Sequence, residues 1–247
     1  MAKRAGALRW ALMAGGFAVL TGCASGPNAN PQDPLEPFNR NVSQFNTAVD
    51  DMVLRPVATV YRDVTPDLVR TGVHNFFENV RDFWSFINAT LQLRPREATE
   101  NFMRVNINTV FGLGGLLDVA SEMGLERTRL DFGQTLGRWG VPSGPYLVLP
   151  IFGPSSFRDA AGFSIESRGD LIQGIGDVSL RNSLITLRAV ETRANLLRAS
   201  SMLEGAALDP YSFTRDVYLR RRESQIEALI DLGIGLKDGR DDTESSN

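Results

Sequence analysis

The chain has 247 residues, with 26 Lys+Arg against 29 Asp+Glu and a formal net charge of −3; 43% of it is hydrophobic and 22% charged. That balance is globular and excludes a wholly disordered or fibrous chain. The single cysteine, Cys23, excludes a disulfide framework and a thiolate metal cluster, and the single histidine, His74, excludes most histidine-based triads.

Residues 1–22 read as an export leader. Lys3, Arg4 and Arg9 form a positive start, and Trp10–Leu20 is apolar but too short to cross a bilayer core of roughly 30 Å as a helix. The stretch ends in Leu20-Thr21-Gly22-Cys23, which resembles the lipobox of bacterial lipoproteins, so Cys23 is expected to become the lipidated mature N-terminus. Ala24 follows the cysteine rather than the Asp that resembles an inner-membrane retention signal, and the outer membrane is the expected destination. Loss of the leader removes Lys3, Arg4 and Arg9 and no acidic residue, which leaves an acidic mature chain. Such a chain is poorly suited to nucleic acid or to holding anionic lipid by bulk charge.

Residues 23–32 form a polar tether, and structure is expected from Asp33, with Asp33 as a cap and Pro34 in the first turn. Phe38, Val42, Phe45 and Val49 recur at helical spacing. A long amphipathic helix is expected over 66–93, between Thr65-Pro66 and Arg94-Pro95. Val69, Val73, Phe76, Val80, Phe83, Ile87 and Leu91 form its apolar stripe. Arg70, His74, Glu78, Arg81, Ser85 and Asn88 form the opposite, polar one, so the helix is not a lipid-surrounded span. A shorter helix is expected over 96–110, with Ala98, Phe102, Val105 and Thr109 on one face.

The texture then changes. Glycine and proline crowd residues 111–162, and no charge falls between Arg138 and Arg158, where Pro142, Pro145, Pro150 and Pro154 forbid a membrane-spanning helix. Helical spacing returns over 177–204, through Leu180, Leu184, Leu187, Ala194 and Leu197, and again after Asp209-Pro210, through Phe213, Val217, Ile226, Leu229 and Ile230. Residues 237–247 are expected to be a disordered tail. Strand patterning is weak, and the fold class expected is all-α in one domain.

Catalytic patterns are missing from the sequence. Gly162-Phe163-Ser164-Ile165-Glu166 lacks the last glycine of a nucleophile elbow, and Leu117 stands where a dinucleotide fingerprint after Gly112 and Gly114 wants its third glycine. His74, on the polar stripe, reads as a solvated or hydrogen-bonded surface residue, and Arg220-Arg221-Arg222 as a solvated charge run. No enzyme, metal or cofactor is expected.

One further pattern is an ordered series of strings. Asp33-Pro34-Leu35-Glu36-x-Phe38-Asn39-Arg40, Arg55-Pro56, Asn75-Phe76-Phe77 and Asn108-Thr109-x-x-Gly112-x-Gly114-Gly115-x-x-Asp118 come first. Asp131-Phe132-Gly133-Gln134-Thr135-Leu136-Gly137, Gly144-Pro145-Tyr146-x-x-Leu149-Pro150 and Gly153-Pro154-Ser155-Ser156-x-Arg158-Asp159 follow. Glu191-Thr192-Arg193-Ala194 and Asp209-Pro210-Tyr211 close the series. From the lipobox to about Arg222, these strings resemble the MlaA (VacJ) family of outer-membrane lipoproteins. Phe83 stands where that family often has a proline.

The resemblance implies a helical domain over 33–236, built as a ring of amphipathic helices in the outer membrane around a central amphipathic channel. It implies removal of misplaced phospholipid from the outer leaflet, delivery to a periplasmic MlaC-like carrier, and contact with a trimeric outer-membrane porin. The 111–162 segment fits a channel-lining Gly/Pro-rich hairpin. Gly112, Gly114 and Gly115 are its expected hinge points, and Asp131, Phe132, Gly133, Gly137, Arg138, Gly144, Tyr146 and Arg158 are further channel candidates. Arg138 and Arg158 suit a lipid phosphate, or equally ion pairs with Asp131 or Asp159. A lipoprotein that only braces a porin is the alternative.

Overall fold

The computed structural model describes residues 30–206 and 208–244, with side chains described to Met202 and from Leu208 to Ile230. The leader and Cys23 lie outside the described residues. The first helical run is α1 (Glu36–Val49), a π-turn (Asp50–Leu54) and α2 (Arg55–Val64). The Arg55 N–H donates to Asp50 O, five residues back, immediately before Pro56, which has no N–H to offer. A widened turn lets the proline ring pass the preceding carbonyls, which a tight α-turn would force it to strike. The run stops at Thr65, which is extended (φ −83°, ψ 126°) because Pro66 excludes the helical region for the residue before it. Thr65 therefore ends α2 and does not cap the next helix.

Helix α3 (Asp67–Leu91) is unbroken through Phe83, and its 25 residues span about 37 Å. It closes on Leu93 in the left-handed region (φ 56°), with the Arg94 N–H donating to Ala89 O at 2.9 Å, the wrap typical of helix ends. Pro95 then opens α4 (Pro95–Val110), which packs back along α3.

The segment 111–162 is more ordered than its composition suggests. It contains α5 (Val119–Glu122), α6 (Phe132–Arg138), a hairpin of β1 (Tyr146–Leu149) and β2 (Gly153–Ser156), and the start of α7 (Phe157–Gly169). The strands are antiparallel, with Tyr146 opposite Ser156 and Leu149 opposite Gly153. Helix α6 begins with a capping box, in which Asp131 accepts from the Gln134 N–H and Gln134 reaches back to the Asp131 N–H. Helices α6 and α7 cross so closely that a Cβ on Gly162 would sit 2.6 Å from Gly133 N.

Helix α8 (Val178–Ala206) lies against α2 and the π-turn, and α9 (Pro210–Glu244) follows. The α9 backbone is helical through 237–244, where the sequence suggested a tail. The fold is all-α with one small hairpin. Apolar cores are modest: Ala89, Ala98, Leu130 and Leu229 form one, and Tyr146, Val148 and Tyr211 another.

Candidate functional site

In a water-soluble protein an amphipathic helix turns its apolar stripe inward. Here that order is reversed. On α3 the buried residues include Glu78, Asn79, Asp82, Ser85 and Asn88, and on α4 they are Ala98, Asn101, Arg104 and Asn108. Outside lie Phe38 and Phe45 of α1, both 52% exposed, Val64 of α2 (76%), Leu68 of α3 (79%) and Val110 of α4 (69%). Phe111, Leu113, Ile151 and Phe152 continue this surface around the turns and the hairpin tip. Exposed apolar area on this scale marks a membrane or partner surface. Among the described residues, no helix is long and apolar enough to cross a membrane.

A polar interior survives only if its groups satisfy one another. The first centre joins α3, α4 and α5. Arg104, fully buried, donates to Asp82 (3.2 Å), to both oxygens of Asp118 (2.8 and 3.0 Å), to Ser121 Oγ and to Leu125 O. Arg127 donates to Asp82 and Asp118 as well, both at 3.2 Å. Burial pushes the Asp82 carboxyl up against the pull of Arg127 and Arg104. Burial also opposes ionisation of Asp118, but bonds from Ser121 and Asn108 and the two arginines prevail and hold it at about 2.

A second centre ties α6 and α7 to α9. Arg222 donates to both oxygens of Asp131 (2.6 and 2.9 Å) and to Asp159 (2.9 Å), which also accepts from Tyr218 at 2.6 Å. Burial would raise the Asp159 carboxyl; Arg222 and Tyr218 hold it at about 2. Glu166 adds to this centre, accepting from Asn88 and from the Phe132 N–H.

The third centre fastens Asp33 and α1 to α9. Asp33 is buried and accepts from Asn39 (2.8 Å), Tyr211 OH (2.5 Å) and Arg215 (3.4 Å). Its side chain thus anchors α1 to α9 and caps no helix. Leu35 holds the cap position of α1. Arg40 forks onto Asp209 (2.7 and 3.2 Å) with its guanidinium 4.4 Å over the Tyr211 ring, and Asn39 bonds Tyr146 O and the Val148 N–H.

The residues singled out in the sequence fall into these neighbourhoods. Asp33, Pro34, Phe38, Asn39, Arg40, Tyr146, Asp209, Pro210 and Tyr211 share the third, with Phe38 outward and Pro210 opening α9. Asp131, Phe132, Gly133, Gly137 and Arg158 share the second. There a Cβ on Gly133 would meet Asp159 at 2.5 Å, one on Gly137 would meet Ile226 at 2.7 Å, and Arg158 bonds Asp159 twice at 3.0 Å. Arg138 donates to backbone carbonyls of Gln92 (3.2 Å) and Leu229. Gly144 packs on Phe157, 3.1 Å from a would-be Cβ. The turn 111–117 rests on α3: Asn75 donates to Leu116 O at 3.1 Å, Phe76 stacks edge-on with Phe77, and Gly115 lies over Asn79. Leu113, Gly114 and Gly115 are all left-handed there, at φ 54°, 74° and 95°. Gly114 faces open space, whereas Gly112 is enclosed by backbone.

Known proteins match this arrangement. The family model described as MlaA lipoprotein matches residues 31–225. The intermembrane phospholipid transport system lipoprotein MlaA of Escherichia coli is 36% identical over 228 residues, covering 87% of this chain and 88% of that protein. Its counterpart in Haemophilus influenzae is 33% identical, covering 84% and 86%. A solved structure reported as the structural basis for maintenance of bacterial outer membrane lipid asymmetry is 35% identical with a TM-score of 0.69, covering 78% of this chain and 98% of its own.

The chain belongs to the MlaA lipoprotein family.

For an MlaA-family chain, the family strings mark many of the polar anchors, yet several central groups lie outside them. Arg104 and Asp82 stand in none of those strings. Arg222, read as part of a solvated run, is instead a largely enclosed tie between Asp131 and Asp159, its side chain 12% exposed. His74 is hydrogen-bonded, its Nδ1 2.7 Å from the buried Glu191 of α8. The signal available was Asn, Asp and Arg recurring every three or four residues along α3 and α4.

Proposed function

We propose that this protein removes mislocalised phospholipid from the outer leaflet of the outer membrane and passes it through a channel to a periplasmic carrier, maintaining lipid asymmetry. The observation that carries the reading is the reversed surface, with an apolar exterior over a hydrogen-bonded polar interior, in a chain of the MlaA family. Helices of this kind lie in the plane of a membrane with their apolar faces toward acyl chains. Irregular backbone such as 111–117 is tolerated at membrane depth where protein or a cavity surrounds it, which suits a ring around a central channel.

In this reading residues 1–22 are removed, Cys23 is lipidated at the end of the 23–32 tether, and the domain 33–236 sits in the outer membrane beside a trimeric porin. An MlaC-like carrier receives the lipid on the periplasmic side. Moving a phospholipid breaks no bond: the headgroup needs a wetted path and the tails need shielding. Gly114 is the freest hinge of the 111–117 turn.

The test is a deletion strain assayed for phospholipid in the outer leaflet. Wild-type protein should restore asymmetry and Cys23→Ala should not. Restored porin association without restored asymmetry would leave only a bracing role and refute transport.

A further inference from the structure

We propose that Arg81 and Arg129 form a clamp for the phosphate oxyanion of a phospholipid headgroup, pre-positioned by the buried carboxylate of Glu78; this rests on the phospholipid-transport reading above. Glu78 is 4% exposed. Its Oε1 accepts from Arg81 at 2.6 Å and its Oε2 from Arg129 at 2.6 Å. The two guanidiniums therefore straddle one carboxylate, while their side chains remain 49% and 56% exposed.

Each arginine commits one terminal nitrogen to Glu78, and a guanidinium has five N–H donors in a fork shaped for carboxylate or phosphate. With about half of each side chain accessible, donors beyond the one given to Glu78 can meet a ligand. A phosphate group presents oxygens at a spacing close to a carboxylate's, so a pair that spans Glu78 from one side can span a phosphate from the other. Charge favours the same conclusion. Behind the pair, Arg104 and Arg127 are matched by Asp82 and Asp118. Among the described residues, Arg81 and Arg129 share Glu78 as their ion-pair partner, which Arg127 also approaches at 3.6 Å. One positive charge is left over at the rim, and a phosphodiester carries one negative charge. Because Glu78 already holds both side chains, binding forfeits little of their rotamer freedom. The apolar exterior argues for a lipid as the bearer of that phosphate rather than a free anion.

The experiment uses the full lipidated chain in phosphate-free maltoside micelles. Three probes are titrated: dihexanoyl phosphatidylglycerol, dihexanoylglycerol and inorganic phosphate. The double variant Arg81→Gln/Arg129→Gln should bind dihexanoyl phosphatidylglycerol about ten-fold more weakly or worse, since two charge-assisted contacts are lost. Binding of dihexanoylglycerol, which has the same tails without the phosphate, should not change. Arg81→Lys/Arg129→Lys, which keeps charge but not the fork and should leave Glu78 paired and the fold intact, should fall in between.

Wild-type affinity of both double variants for the phospholipid overturns the clamp. Weakened binding of inorganic phosphate with phospholipid binding intact reassigns the pair to a free anion and overturns the headgroup assignment. Failure of the wild-type chain itself to bind phospholipid, with no rescue of the deletion strain, removes the transport reading and this proposal with it; rescue by the wild type alongside an unaffected double variant removes only the clamp.

Discussion

Replacing Arg104 with Met removes the cation at the middle of the α3–α4–α5 interface while roughly keeping its volume. Arg104 has no exposed side-chain surface, and its partner Asp82 is 1% exposed. The substitution strands a buried carboxylate that then has only Arg127 to answer it, and Asp118 loses two bonds. Breaking a buried ion pair from one side costs about 3–5 kcal/mol. At about 2–4 °C per kcal/mol for a domain of this size, the thermal midpoint should fall by about 6–20 °C. Circular dichroism melting of the detergent-solubilised protein reads this directly. Adding Asp82→Asn removes the stranded charge, so the double variant should be less destabilised than the sum of the two singles by about 0.5–3 kcal/mol. An Arg104→Met protein melting within about 2 °C of wild type, or strict additivity with Asp82→Asn, would refute the claim that this pair holds the interior together.

Three other outcomes are expected. Gly162→Ala places a Cβ 2.6 Å from the Gly133 backbone and should cost about 1–3 kcal/mol by overpacking, whereas Gly114→Ala meets nothing and should cost only the roughly 1–2 kcal/mol of a left-handed residue; paired thermal melts compare them. A Val replacement at Gly114, whose surroundings are open, should raise outer-leaflet phospholipid with the protein still folded, and unchanged outer-leaflet lipid in that strain would discard the hinge. Asp118 and Asp159 lie below their usual value of 3.8, so their bonds stabilise the fold above about pH 4 and that contribution disappears as pH falls toward about 2; acid titration followed by circular dichroism should lose part of this transition in Arg222→Gln.

Element boundaries were legible where proline wrote them. Pro66 and Pro95 bracketed α3, and Asp209-Pro210 announced α9. Which face of each helix turned inward was not legible from periodicity, because a hydrophobic stripe looks the same whether protein or lipid receives it. Helix α7 was hidden for another reason: Gly162 and Gly169 weaken its local propensity, and both are needed for close approach, to Gly133 and to Trp84. Residues such as Asp33 and Arg40 were visible through the family strings, but their joint attachment to α9 required long-range pairing that no local pattern records.

The interior network has a consequence for how such a protein travels. Most of its buried polar side chains bond one another, with single acceptors on Asn79, Asp82, Gln92 and Asn101 left over, and none of its described helices needs a surrounding bilayer to satisfy its backbone. The chain can therefore be handed across an aqueous compartment as a finished shape rather than as an extended thread. What it cannot do is linger in water unaccompanied, because its apolar exterior would seek other copies of itself. Any escort has to shield a fixed contour, and release should depend on the bilayer outcompeting that shield.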